Sequence, residues 1–267
     1  MLMFGLRLGS DPRCVATTTP RPIKLIKGLI KDMTTVVTGG STYDNLTNLA
    51  KAFIDKIIKK YEGTTLGQQE LWAKLLDDNP KALWKRSILE KHRVIKFPEL
   101  KRVVVALDPS ATGAEEADEA GVIVAGRGVD DHLYVLDDLS LRASPLGWGK
   151  AAVTAYHKNK ADRIVAEINN GGEMVELTIR TVDPNVSYKT VHASRGKQTR
   201  AEPIAALYEQ GRCHHVGMFA ELEDEMCQWV PGDQSPNRMD ALVWVGTELM
   251  LGGQPGRLSK SANPFYS

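Results

Sequence analysis

Three carboxylates stand where chemistry could use them. Asp108 closes the run RVVVALDPS, in which five apolar residues lead into one acid. Glu167 lies near the end of RIVAEI, ahead of Asn169-Asn170-Gly171-Gly172. Asp240 sits in NRMDALVW, at the head of a strongly apolar stretch. Each has an ordinary use by itself: Asp108 as a turn-former before Pro109, Glu167 as a surface acid at a strand end, Asp240 as a helix-start acid favoured by the dipole. Together they read differently. Burying unpaired carboxylates is costly, and acids that converge are best relieved by shared hard cations. Carboxylate-rich sites suit Mg²⁺ or Mn²⁺, and two such ions can activate a water and stabilise the leaving oxygen of a phosphodiester.

The elements that must position these acids follow from pattern. A short apolar run bounded by turn residues suits a buried strand, and Pro109 ends it because it cannot donate to a ladder. Further strands are predicted over 121–126, 132–138, 163–168, 187–192 and 213–216, the first two continuing a meander from RVVVAL. Helices are predicted over 145–158, 172–182, 197–210, 219–230 and 239–251, with Gly211 as a stop signal. Three meander strands followed by alternating helices and strands predict an α/β sheet of mixed direction flanked by helices. Upstream, helical patterns cover 23–31, 45–61, 66–76 and 82–93, a β-branched strand is expected at 34–38, and 1–20 reads as a strand ending in a hydroxyl-rich turn. The expected organisation is a mostly helical connector over 1–98, the α/β domain over 99–251 and a flexible tail over 252–267.

Composition narrows the function classes. The chain has 267 residues, 42% hydrophobic and 25% charged, which is ordinary globular usage. Its net charge is +1, so a nucleic-acid partner must be met by a local basic patch. The densest basic run of the α/β block is Lys189, Arg195, Lys197 and Arg200, and Arg195, Lys197 and Arg200 are candidate phosphate contacts. Three widely spaced cysteines make neither a disulfide framework nor a CxxC metal site and suit a reducing compartment. No apolar run is long enough to span a bilayer. Among other candidates, Asp118 in the acidic loop after Ser110 could serve as an auxiliary metal ligand. Asn237 could assist the site or cap the last helix. His214 and His215 point to opposite faces of a strand and are assigned to structure. Trp229 and Trp244, at apolar helical positions, are assigned to the core. Gly39-Gly40-Ser41-Thr42 lacks the lysine of a phosphate loop.

The order Asp108, Glu167, Asp240 on this alternation of elements resembles the RNase H-like nuclease domain of tailed-phage terminase large subunits. The surrounding words ALDPS, VAEINNGG, RGKQTRAEPIAALYEQGRCHH and NRMDALVW carry the likeness. Upstream, ATTTPRP resembles the coupling motif that ends the terminase ATPase domain, and TGGSTYDNLTNLAKAF and YEGTTLGQQELWAKLL resemble the segment joining ATPase to nuclease. The resemblance implies a metal-dependent endonuclease that cuts concatemeric viral double-stranded DNA. Asp108, Glu167 and Asp240 would hold the metals, and portal protein and small terminase subunit would be partners in the host cytoplasm, transiently at the procapsid. The chain has no GxxxxGK[ST], so it is expected to be a C-terminal piece that does not hydrolyse ATP alone. A latent assembly module docking on portal or small subunit is the alternative. A resolvase or integrase shares the acids but does not account for the upstream words.

Overall fold

The computed structural model describes residues 12–19, 24–58, 65–74, 78–109, 119–168, 172–193, 196–233 and 236–252. They fall into two units that divide between Asp77 and Asp78. Residues 1–11, 20–23, 59–64 and 75–77, Asp118 with the rest of 110–118, Asn169–Gly171, Arg195 and the tail from 253, all of which carried sequence-based expectations, lie outside the described residues.

In the first unit, α1 (Lys24–Lys31) stops at Asp32, whose carboxylate accepts the Thr34 amide at 2.8 Å. The β-branched run 34–38 is irregular, not the expected strand. Val36 and Val37 are 88% and 60% exposed, and a strand without a partner has no ladder to hold it. Within the predicted helix 45–61, the described residues to Ile58 form separate short pieces. A 3-10 turn, Thr42–Asn48, opens on a reciprocal Ser41–Asp44 capping box, and α2 (Lys51–Phe53) runs into a π turn, Ile54–Ile58. After α3 (Thr65–Glu70), the Leu71 carbonyl accepts the Thr42 amide at 2.7 Å and the rings of Tyr43 and Trp72 lie 4.6 Å apart.

The second unit is organised on β1 (Leu100–Asp108), the apolar run met first in the sequence. It pairs antiparallel with β2 (Glu119–Gly128), which pairs antiparallel with β3 (Leu133–Asp138) and with the short β4 (Leu141–Arg142). After α5 (Pro145–Lys158), β5 (Arg163–Glu167) returns parallel to β1; β6 (Tyr188–Val191) follows α6 (Gly172–Val182) and lies parallel to β5. Then come α7 (Lys197–Glu209), β7 (Cys213–His215) parallel to β3, α8 (Ala220–Gln228) and α9 (Asn237–Met250). The order β6-β5-β1-β2-β3-β7 is the mixed sheet that the pattern predicted, an RNase H-like arrangement of α/β class.

Both faces of the sheet are covered, which is why Val104–Leu107 is uninterrupted by polar residues. Val105, Leu107, Val122 and Val124 face α5 and α6. Val104, Ala106, Ile123 and Ala125 face α7, α8 and α9. Every residue of α9 from Arg238 to Leu249 is buried, as befits a helix lying over β1 and β2 with α7 and α8 against it. Residues 78–98, grouped with the connector in the sequence, pack within this unit: α4 (Arg86–His92) lies against β7, α7 and α8. A buried polar network fastens it. Arg93 donates to both Glu223 oxygens at 2.7 and 2.8 Å, His215 joins Glu223 at 2.9 Å and the Tyr208 hydroxyl at 2.8 Å, and Arg86 pairs with Asp224.

Candidate metal centre

The sheet brings two of the acids together by register. Leu107 pairs with Ala166 on adjacent parallel strands, so Asp108 and Glu167 end β1 and β5 side by side. Side chains alternate across a strand, and Leu107 and Ala166 face α5 and α6. Asp108 and Glu167 therefore face α9. Asp240 arrives from the first turn of that helix, where the dipole favours negative charge. One carboxylate oxygen from each of the three lies within 4.8 Å of the others, and the residues are 8%, 4% and 2% exposed. Among the described residues no other such group of metal-ligating side chains forms.

One glycine makes the meeting possible. Gly121 of β2 stands directly opposite Asp108, and a Cβ there would lie 2.1 Å from the Asn237 carbonyl oxygen. The start of α9 thus rests on bare backbone beside the acids. The Asn237 side chain donates to the Glu119 carbonyl, tying the same turn to β2, and is not the helix cap. Arg238 pairs with Glu119 at 2.6 Å, Asp138 and Glu225 at 3.4 Å, and Glu221, so β2, β3 and α8 all anchor the helix two residues before Asp240. Burial, only partly offset by Arg238, pushes Glu225 up to about 8.

The acids are held under electrostatic load. Burial, then the charges of Glu167 and Asp240, keep the Asp108 carboxyl well above the usual carboxylate range; Lys197 and Arg200 pull the other way without cancelling this. Lys197, at the start of α7, places its ammonium 2.8 Å from Asp240 and is 44% exposed. Arg200, one turn on, departs from its expected role. It is 1% exposed, with a guanidinium nitrogen 3.5 Å from Glu167 and its carbon 4.7 Å from the centroid of Trp244. A side chain enclosed in this way bears on the carboxylate and is not offered to a phosphate. Lys189, also in the basic run, pairs instead with Glu248 at 2.7 Å.

Trp244 is in the core as expected, but its indole N–H also donates to Glu167 at 2.5 Å. That role and the anchoring by Arg238 were not foreseen. A signal existed for the first: Trp244 lies four residues after Asp240, on the same helix face. His214 and His215 part as alternation requires. His215 joins the buried network, and His214 meets His132 at 2.9 Å and the His92 carbonyl at 2.8 Å.

Three oxygen-donor carboxylates that burden one another fit hard divalent cations with oxygen ligands. A family model described as the terminase RNase H-like domain matches residues 105–247. No curated protein matches. Among solved structures, the nuclease domain of the large terminase subunit gp2 of bacterial virus Sf6 is 16% identical, with 61% of this chain and 96% of that one covered at a TM-score of 0.47. The large terminase nuclease from thermophilic phage G20c is 10% identical, with coverage of 61% and 98% and a TM-score of 0.44. The yeast mitochondrial Holliday junction resolvase Ydc2 is 10% identical, with coverage of 62% and 84% and a TM-score of 0.39.

Proposed function

The chain belongs to the terminase RNase H-like domain family, and from that membership we propose that its acid triad cuts viral double-stranded DNA during packaging, by metal-assisted hydrolysis of a phosphodiester bond. The observation that carries the reading is the convergence of Asp108, Glu167 and Asp240, three buried acids from three elements, within 4.8 Å. These residues would hold the metal. We infer two ions, Mg²⁺ or Mn²⁺, because hydrolysis needs one to activate the attacking water and one to stabilise the leaving oxygen. Such ions, when bound, supply Lewis-acid activation of water and stabilisation of the leaving oxygen.

The chain's own groups do the rest. Trp244 fixes one oxygen of Glu167 by its hydrogen bond, and Arg200 sets a buried positive charge behind it. Lys197 stands half open beside Asp240, placed to meet a phosphate. In this reading the first unit is the end of an ATPase domain and its linker, with portal protein and small terminase subunit as partners in the host cytoplasm and at the procapsid. No helix among the described residues is long and apolar enough to cross a membrane.

The test is nicking of supercoiled plasmid by the full chain. Activity is expected in Mg²⁺ or Mn²⁺ and lost in EDTA. Asp108→Asn should abolish it while leaving the melting temperature of the metal-free protein unchanged or raised, because it replaces a carboxyl whose charged form is disfavoured by burial and by Glu167 and Asp240 with a neutral amide. An Asp108→Asn protein that nicks at the wild-type rate would refute the assignment.

A further inference from the structure

We propose that a diagonal of four cations on the α9 face of the sheet, Lys189, Arg163, Arg102 and Arg127, is a second seat for duplex DNA, holding backbone phosphates several base pairs from the acids. It rests on the nuclease reading above. The four come one each from β6, β5, β1 and β2, four consecutive neighbours in the sheet. Each lies two residues from a core residue of that face: Val191, Val165, Val104 and Ala125 respectively.

This arrangement is assembled against its own repulsion. Arg102 stands directly opposite Arg127 in the β1–β2 register, and like charges so placed are unfavourable. One carboxylate gathers most of the set. Glu248, 4% exposed on α9, accepts Arg102 at 2.7 Å, Arg163 at 3.3 Å and Lys189 at 2.7 Å. Arg127 pairs with Asp131 at 2.9 Å and donates to the Leu249 carbonyl at 3.5 Å. Asp162, nearby, accepts the Val103 amide at 2.8 Å. One buried carboxylate cannot use what three cations offer. A guanidinium has five N–H donors, and Arg102 and Arg163 each give one to Glu248. The four side chains stay 35–39% exposed, so the remaining donors are open to an anion from solvent.

The spacing suits duplex DNA. Arg163 and Glu167 are four residues apart on one strand, or about 13 Å at roughly 3.3 Å per residue. Phosphates that face each other across a minor groove about 6 Å wide stand about 12 Å apart between centres, so a phosphate at the acids puts one of the opposite strand near the cations. The contact is to backbone and carries no sequence preference. It also supplies the local basic patch that a chain of net charge +1 needs, where Arg200 is enclosed.

The test is anisotropy with a labelled duplex of about 30 base pairs in EDTA, across a salt series, using the full chain. Arg163→Gln with Lys189→Gln should weaken binding about tenfold and lower the log–log salt slope by about 2, near 0.9 per phosphate lost. Glu248→Gln, which keeps the cations and removes their carboxylate, should bind several-fold tighter; a purely structural role would weaken binding in both variants. Unchanged affinity and slope in the double variant, or looser binding by a Glu248→Gln protein of wild-type melting temperature, refutes the seat. The nuclease reading stands apart: it survives that failure if the wild type cuts and Asp108→Asn does not, and it falls if the wild type neither binds nor cuts DNA.

Discussion

Replacing Gly121 with alanine should disable the site without touching any acid. The new Cβ would lie 2.1 Å from the Asn237 carbonyl oxygen, 2.6 Å from its carbon and 3.1 Å from the Ala241 Cβ. Real Cβ contacts essentially never fall under 3.0 Å, so the first turn of α9 must retreat from β2 by at least about 0.9 Å. The obstacle is backbone, and no rotamer change relieves it. The rest of α9 is buried and Arg238 is tied to three other elements, so the strain falls on the turn that carries Asp240. A misplacement of about 1 Å can cost about 10²-fold in rate, or roughly 2.7 kcal/mol of barrier. Overpacking costs about 1–3 kcal/mol of stability, which a domain of about 5–15 kcal/mol can survive. The assay is plasmid nicking in Mn²⁺ alongside a thermal melt. Gly246→Ala is the control: toward the other end of the helix the three atoms nearest its Cβ are side-chain carbons of Ile204, at 3.0–3.5 Å, which a flexible side chain can yield, and activity should stay within a few-fold of wild type. A folded Gly121→Ala protein that also nicks within a few-fold of wild type would show that the close approach does not position Asp240.

Trp244→Phe keeps the ring under Arg200 and deletes the donor to Glu167, so it should weaken Mn²⁺ affinity or cleavage about 10–100-fold with little change in melting temperature. Isothermal titration measures the first, and an unchanged affinity and rate would remove Trp244 from the site. Stability should also fall in acid through Glu223. Burial alone would raise its carboxyl, but His215 and Arg93 outweigh burial and bring it from 4.5 down to about 2. A depressed carboxylate contributes stability above its unfolded value and loses it as pH drops, here between about 4.5 and 2, on the order of 3 kcal/mol in all. Denaturant melts across that window should show the decline, and Glu223→Gln should flatten it; a parallel decline in the variant would assign the acid sensitivity elsewhere.

What could be read from the chain alone follows the reach of each interaction. The apolar run of β1 and the alternation after it are local signals, and they placed Asp108, Glu167 and Asp240 at the ends of elements that converge. The run 34–38 carried an equally local signal for a strand and failed, because a strand also needs a partner. Arg200 illustrates the same limit inside the site. Its place in a basic run pointed outward, yet its direction is set by Trp244 and Glu167, each more than thirty residues away along the chain. The cation diagonal shows in the sequence only through Lys189, a member of that run, since Arg102, Arg127 and Arg163 are scattered and become its neighbours only across strands about 4.8 Å apart. Closeness in sequence marks a charged surface on a helix, where residues three and four apart touch. On a sheet the pairing decides. The contrast gives the positive charge of this chain two separate uses: Arg200, from the visible run, supports the carboxylates from within, and the dispersed cations remain open toward solvent.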